Sequence, residues 1–195
     1  AIGGVRYSEE GCTTCPKGYI SPLENTSWYR CNSCFAGKWN DKTGSSFEDG
    51  CTNCMRGTYG EEVGMTGPNS CVECDAGRFN INNGSNHNSA CKKCETGYHN
   101  SMKKRGLSCK PCQKGKFMDD RGSSDGSCKD CLAGYYAAEE EQPRCDICLP
   151  GMFQKQSGKT ECIECEEGRY VKKPKQMTCK YCPAGRISSQ GASEC

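Results

Sequence analysis

Large apolar side chains are scarce: Leu, Ile, Val and Phe together supply only 19 of 195 residues. A share below roughly a fifth leaves too little buried area to offset chain entropy, which excludes an ordinary globular core. No stretch approaches the roughly 20 apolar residues of a membrane span. The longest apolar run is Tyr135–Ala138, and no hydrophobic signal-peptide segment follows Ala1. There are only two histidines, His87 and His99, and neither stands at metal-ligand spacing. His99 fills an aromatic position and His87 a polar turn, so surface roles are expected for both. The net charge of +2 carries no general affinity for nucleic acid. No aromatic platform or groove motif accompanies the basic runs Lys103-Lys104-Arg105 and Lys172-Lys173-Pro174-Lys175. They read as solvated loop surface, as do the acidic Glu139-Glu140-Glu141 and Glu161, Glu164, Glu166 and Glu167. No nucleophile, acid and base converge in the pattern. The chain is therefore expected not to be an enzyme, with no catalytic residue, metal or cofactor.

What the chain has instead is cysteine, 21 residues, and glycine, 24. More than about a tenth cysteine marks a disulfide scaffold, and disulfides persist outside the cell or on its surface. The cysteines form ten C-x-x-C pairs: 12/15, 31/34, 51/54, 71/74, 91/94, 109/112, 128/131, 145/148, 162/165 and 179/182, with Cys195 opening an eleventh. Residues 1–11 read as a lead-in or the end of a preceding repeat. Residues 12–195 read as tandem units starting at Cys12, Cys31, Cys51, Cys71, Cys91, Cys109, Cys128, Cys145, Cys162 and Cys179, truncated at Cys195. Three residues after every second cysteine stands a glycine, from Gly18 to Gly185. Two places further come Trp39, Tyr59, Phe79, Phe117, Tyr136, Phe153 and Tyr170; Tyr19 and Tyr98 come one place earlier, and Ile187 takes the last unit. The glycine implies a positive φ or a close backbone approach. The aromatic, the unit's only large apolar group, is expected to pack on the disulfides. A second turn, as in Gly67-Pro68-Asn69, Ser157-Gly158-Lys159 and Gln190-Gly191-Ala192, precedes the next pair; Asn83-Gly84 favours a two-residue hairpin. The units starting at Cys128 and Cys162 lack this second glycine, so different turns are expected there. The fold class is a small disulfide-rich, elongated tandem array of about ten short β-ribbon and turn repeats of 16–20 residues, with almost no helix. Contacts are expected only between neighbouring units. Ribbons of three to five residues would make each unit about 10–15 Å long and the rod on the order of 100–150 Å.

Three chemistries use C-x-x-C. Zinc takes pairs of pairs, so a string of zinc ribbons would alternate two spacings, and these steps do not alternate. Thiol exchange needs a helix N-terminus or a basic neighbour to lower a thiol pKa, and no helix is predicted. For disulfides, the simplest scheme joins the second cysteine of each pair to the first of the next: Cys15–Cys31, Cys34–Cys51, Cys54–Cys71, Cys74–Cys91, Cys94–Cys109, Cys112–Cys128, Cys131–Cys145, Cys148–Cys162, Cys165–Cys179 and Cys182–Cys195. This leaves Cys12 unpaired in the segment. The rival scheme, a bond within each C-x-x-C, closes a cramped ring, leaves the long loops unconstrained and orphans Cys195 instead. The successive scheme is preferred on those grounds.

Asn25-Thr26-Ser27 and Asn83-Gly84-Ser85 are full glycosylation sequons in predicted exposed turns, making Asn25 and Asn83 candidate glycan sites. Units such as Cys15-Pro16-Lys17-Gly18-Tyr19 and Cys182-Pro183-Ala184-Gly185-Arg186 resemble the ephrin-receptor-like cysteine-rich repeat. They are also similar to the single-disulfide module of tumour-necrosis-factor receptors. The resemblance covers Cys12–Cys195 and implies an elongated extracellular rod of single-bridge loops. The expected function is that of an extracellular structural repeat protein: a rod-like segment of a fibre, appendage, stalk or surface coat. The alternative is the ectodomain of a cell-surface receptor or adhesin that binds a protein ligand. Expected partners are other copies, other extracellular structural proteins and glycans, with no nucleic acid and no membrane span in this segment. Charge leans the same way. Residues 1–90 are net acidic and 91–195 net basic, so head-to-tail copies would attract within a screening length of about 8–10 Å.

Overall fold

The computed structural model describes residues 14–21, 31–47, 50–101 and 108–195. The lead-in, Cys12, Asn25 and the 103–105 basic run lie outside the described residues. The chain divides into two compact units: Ala1–Lys92 with Met102–Ser108, and Lys93–Ser101 with Cys109–Cys195.

Among the described residues the fold is a disulfide-rich repeat array of nine two-stranded β-ribbons. In the first unit the strands are β1 (Tyr19–Ile20), β2 (Asn32–Ser33), β3 (Lys38–Trp39), β4 (Thr52–Asn53), β5 (Thr58–Tyr59), β6 (Val72–Glu73) and β7 (Arg78–Phe79), with β8 (Lys92–Lys93) at the division. The second unit holds β9 (Tyr98–His99), β10 (Lys110–Pro111), β11 (Lys116–Phe117), β12 (Lys129–Asp130), β13 (Tyr135–Tyr136), β14 (Asp146–Ile147), β15 (Met152–Phe153), β16 (Ile163–Glu164), β17 (Arg169–Tyr170) and β18 (Lys180–Tyr181). Each odd strand pairs with the even strand after it; Phe153 faces Ile163, for example, and Tyr170 faces Lys180. Helix is confined to single 3₁₀ turns at Pro68–Ser70 and Asn88–Ala90 among the described residues.

Each strand is only two residues long, shorter than the expected three to five. A lone ribbon of that size is not stable in water. Ten disulfides close these loops, each joining the second cysteine of one C-x-x-C to the first of the next, from Cys15–Cys31 through Cys94–Cys109 to Cys182–Cys195. The remaining seven are Cys34–Cys51, Cys54–Cys71, Cys74–Cys91, Cys112–Cys128, Cys131–Cys145, Cys148–Cys162 and Cys165–Cys179. A loop of this size contributes roughly 3 kcal/mol in the chain-entropy model, which does not order some seventeen residues by itself. Packing supplies the rest, and it is not centred on the aromatics. Trp39, Tyr59, Phe79, Phe117, Tyr136, Phe153 and Tyr170 are all half-buried. The fully covered groups are the second cysteines, at 0–1% exposure for Cys34, Cys54, Cys94, Cys112, Cys131, Cys148 and Cys165. Beside them lies the residue six places on: Asn40, Asn80, Asn100, Met118, Ala137, Gln154 or Val171. Sulfur and that one following side chain form the core.

Candidate functional site

Because the units carry so little apolar surface, the contact from repeat to repeat is the site on which the molecule depends. It is built from backbone. Here a repeat is named by the second cysteine that begins it. Its glycine donates N–H to the buried sixth residue of the next repeat: Gly37 to Gly60 O (2.7 Å), Gly57 to Asn80 O (2.8 Å), Gly134 to Gln154 O (2.7 Å). That sixth residue donates in turn to a carbonyl five places beyond its counterpart in the next repeat, as in Asn40 to Met65 O and Gln154 to Gln176 O. The second turn then reaches back to the preceding cysteine: Gly64 to Cys34 O (2.8 Å), Gly84 to Cys54 O (2.7 Å), Gly158 to Cys131 O (2.7 Å). Within each unit, steps such as Cys34 to Cys54 and Cys131 to Cys148 are therefore tied by three main-chain bonds that specify no side chain.

The register demands glycine at the first turn. At Gly37 φ is +84°, and the turn closes from Lys38 N–H to Phe35 O at 3.0 Å, with the left-handed residue at the third place. The glycine is also crowded from outside. A Cβ at Gly115 would stand 2.2 Å from Gly158 O, and one at Gly37 2.3 Å from Gly84 O. Gly84 and Gly158 belong to the next repeat but one. The expected nearest-neighbour pattern is thus corrected: at Gly18 and Gly37 in the first unit, and at Gly97, Gly115, Gly134 and Gly151 in the second, the second turn of one repeat lies on the ribbon two repeats earlier.

Two further expectations are corrected at this turn. Asn83-Gly84 is not a two-residue hairpin, because β7 and β8 are joined by the whole of residues 80–91. The Asn83–Gly84 turn instead docks on the Cys54 repeat, where Asn83 Oδ1 accepts from the Arg56 N–H (3.0 Å) and Gly84 N–H reaches Cys54 O. Nor do the turns lacking glycine differ. Glu141 (φ 65°) and Lys175 (φ 62°) adopt the same left-handed backbone that glycine takes elsewhere. Each lays its side chain on a tyrosine two repeats back: Lys175 Nζ sits 5.3 Å from the centre of the Tyr135 ring, and Glu141 accepts a hydrogen bond from Tyr98. That bond, then partial burial and the charge of Glu141, raise the Tyr98 phenol above its ordinary pKa.

The buried sixth position is filled in two ways. Asn80 is fully used: Nδ2 donates to Thr58 O and Ser85 Oγ, both at 2.9 Å, and Oδ1 accepts from Asn82 N–H at 3.0 Å. Asn40 meets the corresponding partners with one bond reversed: Nδ2 donates to Tyr19 O, while Oδ1 accepts from both the Lys42 N–H and the Ser45 hydroxyl. In the repeat between them the pair Asn and Ser is replaced by Gly60 and Met65, and the Met65 side chain lies where a Cβ on Gly60 would be.

Between successive ribbons a groove recurs. In the first unit it holds about 260 Å³ and is lined by Tyr59, Val72, Glu73, Asp75, Arg78 and Cys91; Arg78 Nη1 donates to Cys91 O at 3.0 Å. In the second it holds about 230 Å³, and the matching positions are Tyr136, Ile147, Leu149, Met152 and Cys162, with Glu161 on the rim. A charged lining has become an apolar one. The sequence reading missed this, although Ile147 and Leu149 bracket Cys148 in the chain.

Among the other predicted positions, Asn83 is exposed. His99 Nδ1 lies 3.0 Å from Gly126 O, and His87 lies beside Ser89 and Glu61. Lys129 hydrogen-bonds Asp119 at 2.8 Å, which holds that carboxyl below its usual range and raises the lysine. Among the described residues no group of three or more His, Cys, Asp or Glu side chains gathers to hold a metal ion, and no helix is long and apolar enough to cross a membrane.

No protein-family model matches the chain, and no curated protein matches it. The architecture defines it as a disulfide-rich repeat protein. Its ten disulfides belong to an oxidising, extracellular or cell-surface environment.

Proposed function

We propose that the chain is an extracellular structural element, a rod-like segment of a fibre, appendage, stalk or surface coat, and not an enzyme. The observation that carries this reading is the main-chain bonding between repeats within each unit, up to three bonds per step in one register. An interface made of peptide groups and cysteines leaves the outward side chains free to vary, as a scaffold requires and a reaction centre does not. The same geometry is compatible with repeats of the ephrin-receptor-like type, in which one bridge closes each loop. Asn83 fits a glycan: its Oδ1 is occupied by the Arg56 amide, while the residue is exposed in a turn. Small-angle scattering of the oxidised chain tests the shape, with a scattering profile more extended than that of a compact domain of the same length expected. A radius of gyration near 16 Å, that of a compact domain of about this length, overturns it. Electron microscopy of native material tests the role: filaments, stalks or a surface layer support it, whereas discrete anchored monomers bound to a protein ligand favour a receptor or adhesin.

A further inference from the structure

The groove in the second unit differs from its counterpart in the first at the positions that face solvent. Glu73, Asp75 and Arg78 of one are Ile147, Leu149 and Met152 of the other. Leu149 is 59% exposed and Ile147 37%. Apolar groups grouped in one recess and left open to water mark a binding surface more strongly than scattered ones. The rim is acidic. Glu161 lines the groove, and Asp146 pairs across the ribbon from Tyr136, which lines it too. The complementary object is an exposed apolar side chain in a basic setting, and the chain presents one. Met177 is 56% exposed, in a loop that carries Lys172, Lys173 and Lys175 before it and leads into Lys180 at the start of β18. Lys175 is engaged with Tyr135, and Lys172 leans on Glu194 at 3.9 Å, while Lys173 and Lys180 are exposed.

We propose that the Leu149 groove receives the Met177 loop of a second copy of the chain. The proposal rests on the structural reading above and names the contact through which copies would join. The two surfaces are different, so each copy that uses one keeps the other for a further copy. A contact of this kind propagates into a chain unless the rotation closes it.

Sedimentation velocity on the oxidised chain over a range of concentrations reads this directly. Association should rise with concentration and weaken with salt, since the charges of groove rim and loop are exposed. Leu149→Asp and Met177→Asp alter exposed side chains and should keep all the disulfides, as a non-reducing peptide map would verify. Each should weaken self-association by about tenfold or more. Mixing the two variants leaves one intact groove facing one intact loop, so the mixture should form dimers that grow no further. A wild-type chain that stays monomeric throughout overturns the proposal. So does association undiminished by either substitution, which would leave the structural role standing on another contact. Saturable uptake of a free basic peptide with a methionine anchor by a monomeric chain would assign the groove to a different protein and equally overturn it.

Discussion

Glycine carries two separate loads at the turn after each second cysteine, and these can be measured apart. Gly115 (φ 80°) and Gly168 (φ 73°) share the left-handed backbone, but only Gly115 is pressed by a carbonyl; nothing lies within 4 Å of a Cβ built on Gly168. Gly168→Ala should cost about 1–2 kcal/mol, the strain of a side chain in that region. Gly115→Ala adds an overlap with backbone that no rotamer relieves, and should cost about 3 kcal/mol or more. Chemical denaturation followed by circular dichroism gives the two values; equal costs would mean that the close approach of Gly158 contributes nothing. Glu141 shows what a residue other than glycine gains at such a place. Its carboxylate accepts from Tyr98 and raises that phenol's pKa. A group raised in the folded state contributes stability that is complete below its ordinary pKa and is lost as pH rises through the folded value. In an ultraviolet titration one of the nine tyrosines should therefore ionise late. Tyr98→Phe should remove that late step, and Glu141→Gly should return it to the common range.

At the level of the ribbon, what decides the fold is a side chain the sequence does not advertise. Cysteine spacing, the glycine three places on and the shortage of helix were legible because each is an identity repeated without exception. The pairing followed from the same regularity, since a loop left open by bonds within C-x-x-C has nothing else to hold it. The buried sixth position was not legible, because it holds asparagine, glycine, methionine, alanine, glutamine or valine in different repeats. Its signal lay in pairs: Asn40 with Ser45 and Asn80 with Ser85, against Gly60 with Met65, always five residues apart. The two left-handed turns at Glu141 and Lys175 were hidden for a related reason, as the compensating tyrosines stand two repeats away in the chain. Asn80→Val tests the buried position. Valine occupies it at Val171 without difficulty, but at Asn80 it would strand Thr58 O and Asn82 N–H. A loss of about 1–3 kcal/mol is expected for the unsatisfied groups, with faster hydrogen exchange at the Asn82 amide. Native-like exchange at Asn82 would show that water replaces the side chain at no cost.

For the whole array, the reach of the second turn sets how far a local injury spreads. With contacts only to neighbours, loss of one disulfide would disturb one repeat on either side. The structure carries the connection one repeat further. Around the Cys131–Cys145 bond, Cys131 donates to Gly115 O and accepts from Gly158, while Gly134 is pressed by the carbonyl of Lys175. In the other direction Glu141, inside that same disulfide loop, donates to Cys112 O and packs its own carbonyl against Gly97. The double substitution Cys131→Ala with Cys145→Ala should therefore free the loop and loosen the segment from Gly97 to Lys175, two repeats each way. Amides beyond that span depend on their own bridges and should keep wild-type protection. Hydrogen exchange with mass spectrometry, run without reductant, locates the edge of the disturbance. Protection lost only between Gly115 and Gly158 would restore the nearest-neighbour account. Protection lost throughout the second unit would show that its repeats fold as one cooperative body, and that the short ribbons hold no stability of their own.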